Sequence, residues 1–221
     1  MVLAATAGNH ALAQIAPSAA EVAAYTGLHA AAQKGDLAKI DSLATAKADL
    51  NARDGNGRTP LHVAAFASQR EAIKALVKHG ADINLLDKDR YDGVTIAAVA
   101  NDEETLRVLL EHGASAKLIT SRYDGTALIA AAHLGHEGVV KQLITAGAPL
   151  NHVNNLHWTA AIEAVVLGDG GPRHQETLRA LIKAGANLQL ADRQGNTPLQ
   201  LAKSRGYREM VQMLERAGKA G

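Results

Sequence analysis

The chain has no cysteine among its 221 residues, which excludes disulfides, thiol nucleophiles and thiolate metal sites together. Aromatic residues are almost as scarce, at 3%, comprising one Trp, one Phe and four Tyr. Neither charge sign dominates: 23 Lys plus Arg stand against 22 Asp plus Glu, for a formal net charge of +1. That balance gives no reason to expect nucleic acid or an anionic membrane as a partner. No uninterrupted apolar run approaches the ~18 residues that span a bilayer. The nucleophile-elbow pattern Gly-x-Ser-x-Gly and the phosphate-loop pattern Gly-x-x-x-x-Gly-Lys are both missing.

What is present is a period. The segment TPLHVAA at Thr59 recurs as TGLHAAA at Thr26, DGVTIAA at Asp92, TALIAAA at Thr126, TAAIEAV at Thr159 and TPLQLAK at Thr197. These anchors stand 33, 33, 34, 33 and 38 residues apart. The anchor Thr is placed to cap a helix, and in TPLH the Pro falls at the first helical position, where its missing N–H costs nothing. Apolar residues 14, 17 and 18 after each anchor mark one face of a second helix: Ile40, Leu43 and Ala44; Ile73, Leu76 and Val77; Leu106, Leu109 and Leu110; Val140, Leu143 and Ile144. Gly-Ala pairs such as Gly80-Ala81 supply a left-handed helix stop, and a short polar hairpin leads to the next anchor. No helix pair of this size buries its apolar stripe alone, so the units must stack. The last unit, with Glu215 at an otherwise apolar position, reads as a terminal unit with one wet face, and Ser18-x-x-Glu21 reads as a capping box before the first.

The segment DGNGRTPLHVAA…VKHGADIN, from Asp54 to Asn84, resembles the ankyrin repeat nearly position by position. The later units look like those of bacterial ankyrin-repeat proteins. The resemblance implies an all-α solenoid of six helix-turn-helix units with β-hairpin fingers on one edge. The units fall at about 21–53, 54–86, 87–120, 121–153, 154–191 and 192–218, in one domain over 19–218 behind a tail at 1–18. It also implies a non-catalytic module that binds an unidentified protein through its fingers and the concave face of its inner helices. No cofactor, catalytic residue or metal ligand is assigned, and the chain is taken as a monomer.

Two departures from the family pattern locate the candidate site. Where Gly57 and Gly195 stand two before their anchors, the central units carry Arg90, Asp124 and His157, so either the central fingers bend differently around a functional site or these are exposed turns that have drifted. Tyr91 and Trp158 lie one residue before an anchor and Tyr123 three before, at finger positions the resemblance makes exposed. They are read as partner anchors; packing against the adjacent finger is the alternative. Positions 7 and 8 after each anchor face the groove in the family, and they are apolar in the middle units and polar at the ends. Phe66, Val99, His133 and Leu134 therefore join the candidate partner-binding set, with Arg90 and Arg122 of the two RYDG strings.

Other features point elsewhere. A metal-dependent hydrolase using His133, His136, Asp169 and His174 is the rival reading, although two imidazoles at His133-x-x-His136 are too few for a structural zinc site. A periplasmic structural or folding helper is a third. Ala11-Leu12-Ala13 before Gln14 fits the small-x-small pattern of signal-peptide cleavage but lacks a basic segment before it, leaving either the stump of an export signal or an Ala-rich tail. Location, cytoplasmic or periplasmic, stays open. In VLGDGGPRH, from Val166 to His174, the anchor register makes Asp169 to Arg173 a five-residue insertion in the turn between two helices. Gly168 is then the ordinary inter-helix glycine, and Pro172 starts the second helix early.

Overall fold

The computed structural model describes residues 14–219, and Ala11-Leu12-Ala13 lies outside the described residues. A short helix, α1 (Ala19–Ala24), precedes six helix pairs: α2 (Gly27–Lys34) with α3 (Leu37–Thr45), α4 (Pro60–Phe66) with α5 (Arg70–Lys78), and α6 (Gly93–Val99) with α7 (Glu103–Glu111). The series continues with α8 (Ala127–Leu134) and α9 (Glu137–Thr145), α10 (Ala160–Val166) and α11 (Pro172–Lys183), and α12 (Pro198–Arg205) and α13 (Arg208–Lys219). First helices pack on first helices and second on second along the stack. Among the described residues no helix is long and apolar enough to cross a membrane.

The periodic apolar residues form one continuous core. Ile40, Ile73, Leu76, Leu106, Leu109, Val140, Leu143, Leu178 and Leu181 are fully buried, while Val77, Leu110 and Ile144 are half-buried against them. The Ala pairs explain the close stacking: Ala64, Ala97, Ala98, Ala131 and Ala132 are buried with no side chain large enough to hold neighbouring first helices apart. At the ends the stripe is covered differently. Ser18 and Glu21 complete the capping box of α1, and the exposed Glu215 pairs with Lys203 at 2.7 Å on the outer side of the last unit.

The fingers are tight turns, and among the described residues they show no strand, only an isolated bridge between Thr120 and Gly125. In four of them an Asp or Asn five residues before the anchor closes the turn: its backbone N–H donates to the carbonyl four residues on, and its side chain accepts two backbone N–H groups. Asp54, Asp87, Asn154 and Asp192 all do this. The finger before Thr126 has Ser121 instead and is closed one residue wider, by Thr120 N–H to the Gly125 carbonyl at 2.8 Å.

Two of the three central fingers, closed by Asp87 and Asn154, keep the bonding of the outer ones, and the one before Thr126 differs by its extra residue. Arg90, Asp124 and His157 adopt φ of 65°, 51° and 63°, the same left-handed turn that Gly57 and Gly195 make at 72° and 79°. The bonding network of the turn outweighs the Cβ penalty, which is about 1–2 kcal/mol for a non-glycine residue in this region. His157→Gly is therefore expected to stabilise the fold by about 0.5–1 kcal/mol after the added entropy of an unfolded glycine is counted; urea unfolding that shows no gain would mean the backbone there is unstrained.

The insertion also corrects one position. Gly168 does not take the left-handed conformation of Gly35, Gly135 and Gly206; Gly170 takes it, at φ 72°. Asp169 holds the loop by accepting the Gly171 N–H at 2.8 Å, and Gly171 then caps α11 with Pro172 at its first turn. A Cβ on Gly170 would lie 2.5 Å from the Tyr207 ring, so the loop is packed on the last unit. Deleting Asp169 to Arg173 should leave a folded chain with a lowered melting temperature, since Gly168 and His174 would then follow one another as Gly135 and His136 do; loss of cooperative melting would show that the loop is needed for folding.

Candidate functional site

Three consecutive fingers and the first helices behind them enclose a cavity of about 320 Å³. Tyr91, Tyr123, Trp158 and His133, all singled out from the sequence, line it together with Thr95, Ile129, Glu163 and Leu167. The cavity has a local cause. With each finger numbered by the unit it opens, the third and fifth carry Tyr91 and Trp158 one residue before the anchor, whereas the fourth carries Gly125. The space a side chain would fill is left open: a Cβ on Gly125 meets nothing nearer than Ser121 Oγ at 3.6 Å. A second cause lies three residues after the anchor. His29 and His62 stitch their units to the next, through Nε2 to the carbonyls of Arg58 and Tyr91 at 2.9 and 3.0 Å. The corresponding Thr95 reaches no carbonyl of the next finger, only the Thr120 hydroxyl at 3.3 Å, and Ile129 has no donor; both form cavity wall instead.

Tyr91 is not the exposed finger aromatic expected of its position. It is buried, at 4% exposure, as Arg58 is at the equivalent place in the preceding unit, and burial followed by the nearby Asp89 carboxylate pushes its hydroxyl pKa up. Tyr123 and Trp158 remain half-exposed at the cavity. Arg90 is committed elsewhere, donating from Nη1 to Asp124 Oδ1 at 2.7 Å as an exposed strut between adjacent fingers. Arg122 is exposed, and its backbone carbonyl accepts from Asn155 Nδ2. Val99, Leu134 and Phe66 are half-buried along the groove strip, with Phe66 facing the Arg58 guanidinium 5.8 Å away. Only His133 of the strip residues assigned from sequence reaches the cavity; Leu167, 39% exposed, extends it onto the groove.

Glu163 is the feature the sequence reading missed. It sits four residues after its anchor, where the other units carry Ala30, Val63, Ile96, Ala130 and Leu201, so the signal was a lone acid in an apolar column. The side chain is 5% exposed. Asn154 Nδ2 donates to its Oε1 at 3.0 Å, while Asn154 Oδ1 holds the Trp158 N–H at 2.9 Å. One finger residue thus fixes both the carboxylate and the tryptophan backbone. Oε2 is buried without a hydrogen bond; the His133 ring lies 3.3 Å away but is not aligned to donate.

The four residues of the hydrolase reading do not share a site. His133 faces Glu163 in the cavity, whereas His136 Nδ1 bonds the Ala98 carbonyl at 3.0 Å, and burial pushes its pKa down. His174 bonds backward through Nε2 to the His133 carbonyl at 2.9 Å, with Asp169 at 3.2 Å from its other nitrogen. Both imidazoles serve as stitches between successive units at the end of the helix pairs away from the fingers, as Tyr207 does through its hydroxyl to the Gly168 carbonyl. Among the described residues no three His, Asp or Glu side chains are grouped as metal ligands.

Comparison with known proteins accords with this architecture. The sequence model described as Ankyrin repeats (3 copies) matches residues 1–87, 94–192 and 138–219. The ankyrin repeat protein YahD of Escherichia coli (strain K12) is 39% identical over 99 residues, 44% of this chain; the chain spans about half the length of that curated relative, 49%. The crystal structure of an ankyrin repeat domain from Acinetobacter baumannii AYE superposes with a TM-score of 0.81 at 45% identity, covering 86% of this chain and 97% of that one. The ankyrin repeat domain of Bcl-3, a member of the IkappaB protein family, gives 0.78 at 27% identity over 88% and 87% of the two chains. The family matches, the structural neighbours and the six stacked helix pairs agree: the chain belongs to the ankyrin repeat family.

Proposed function

We propose that the protein is a non-catalytic module that holds a protein partner across its third to fifth fingers and the adjoining groove, within a single ankyrin domain over residues 19–218. Ankyrin repeats are protein–protein interaction modules, and their stack gives a rigid frame on which loops present side chains. The observation that carries the reading is the convergence of Tyr91, Tyr123 and Trp158 on one open cavity. Monomers seldom leave such a concavity, walled by aromatics and continued by half-exposed Leu134 and Leu167, without a ligand.

The test uses immobilised protein against an extract of its source cells. Tyr91 is buried and is left intact. Tyr123→Ala with Trp158→Ala, and separately Gly125→Trp to fill the gap, should each weaken capture of the partner by roughly 30-fold, the scale of losing about 2 kcal/mol at an interface centre. Circular dichroism should stay native. Undiminished capture by both variants would sink the reading.

A further inference from the structure

We infer that the cavity between the third, fourth and fifth fingers receives one organic cation, a Lys or Arg side chain presented by the bound protein, with Glu163 as its counter-charge. The inference rests on the protein-binding reading above and adds the chemistry of the anchor. A carboxylate placed in a column of apolar residues and buried to 5% exposure needs partners for both oxygens. Asn154 satisfies Oε1 and nothing satisfies Oε2. The His133 ring, 3.3 Å away and misaligned, leaves that buried oxygen without a hydrogen bond, and an entering donor reaches it from the cavity that both side chains line once the ring turns aside.

The walls select the rest of the ligand. Tyr91, Tyr123 and Trp158 offer aromatic surface, which attracts an ammonium or guanidinium group and packs well on an alkyl stem. At about 320 Å³ the cavity lies at the small end of ligand pockets, suited to a single side chain. An uncharged apolar occupant would leave Oε2 unpaired in a drier environment, and an anion would meet the carboxylate directly.

The sole tryptophan, Trp158, reports occupancy by its fluorescence. The probes are acetylated, amidated pentapeptides Gly-Gly-X-Gly-Gly with X as Lys, Arg or norleucine, and n-butylammonium. The Lys or Arg peptide should bind saturably, roughly tenfold or more tightly than the norleucine peptide, as a site built around a polar contact discriminates. Glu163→Gln keeps an acceptor for Asn154 and should stay folded by circular dichroism, yet lose roughly tenfold or more of the affinity for the cationic peptides. Equal binding of norleucine, or unchanged binding by Glu163→Gln, overturns the inference. Tighter binding of n-butylammonium than of the Lys peptide also overturns it, by giving the site to a free amine. If cation selectivity fails while partner capture still depends on Tyr123 and Trp158, the protein-binding reading stands alone; if that dependence fails too, both fall.

Discussion

Arg58→Ala is expected to lower the unfolding free energy by about 3 kcal/mol, the lower end of what removing one member of a buried ion pair costs. The Arg58 side chain is almost wholly buried, with Nη1 3.6 Å from Asp54 Oδ2 and 3.1 Å from Glu21 Oε1, and Nη2 donating to the Ile15 carbonyl at 3.0 Å. Asp54 is itself nearly buried and also accepts from the Tyr25 hydroxyl at 2.8 Å. Burial raises the Asp54 pKa, but the Arg58 backbone N–H and the Tyr25 hydroxyl outweigh it and hold the carboxyl below its usual range. The same surroundings, burial first and then the Asp54 bond, push the Tyr25 hydroxyl up to about 12. Truncation would leave Asp54 charged and short of its cation.

The loss should be local in one further respect. Helix α1 has six residues, none buried, too few to persist without tertiary contacts. Its ties to the stack run through Glu21, to Arg58 and to Asn56 Nδ2. Hydrogen exchange should show Ala19–Ala24 losing protection in Arg58→Ala while α6 to α9 keep theirs. A destabilisation below about 1 kcal/mol in urea, the range of a surface pair, with α1 still protected, would show that Arg58 packs by its stem alone.

How such features could be read in advance depends on what fixes them. The helix pairs follow from strictly local spacing, so Ile73 with Leu76 or Val140 with Leu143 announce their faces within a single turn. The early start of α11 at Pro172 is equally local. Tyr91 was misjudged because its burial depends on the docking of the next finger, about thirty residues later, whose Ser121 N–H bonds the Arg90 carbonyl. The left-handed Arg90 and His157 were misjudged because side-chain acceptance by Asp87 and Asn154 overrides residue preference in a turn. Glu163 was visible only by comparing equivalent positions in all six units, where one acid interrupts an apolar column. Gly125 was legible the same way, as the missing side chain between Tyr91 and Trp158. In a repeat protein the departures within a column carry the site, and the column itself carries the fold.

Lowering the pH from about 6.5 to 4 should cost the fold about 3 kcal/mol through His62. Its imidazole is 1% exposed. Nδ1 accepts from the Thr59 N–H at 3.1 Å, which leaves the proton on Nε2 to donate to the Tyr91 carbonyl at 3.0 Å. Burial first of all pushes the pKa down from 6.5 to about 4, against the raising effect of the Tyr91 carbonyl. Between those values the unfolded chain binds a proton that the folded chain refuses, so stability falls as the pH falls, at about 1.4 kcal/mol for each unit of difference. The contribution is complete above 6.5 and gone below 4. Asp102, held well below the usual carboxylate range by Ser68, Thr105 and Arg70 against the opposing effect of burial, loses its contribution only at still lower pH. His136, shifted down by burial, adds to the same slope. His62→Gln is the discriminating variant, because Gln200 already occupies the equivalent place in the last unit and accepts the Thr197 N–H at 2.8 Å through Oε1. Urea unfolding at pH 7 and pH 4.5 should show the variant slightly less stable than the parent at neutral pH but losing much less on acidification. An equal acid loss in both would assign the pH dependence to other groups and would mean that the Thr59–His62–Tyr91 stitch admits a proton without opening.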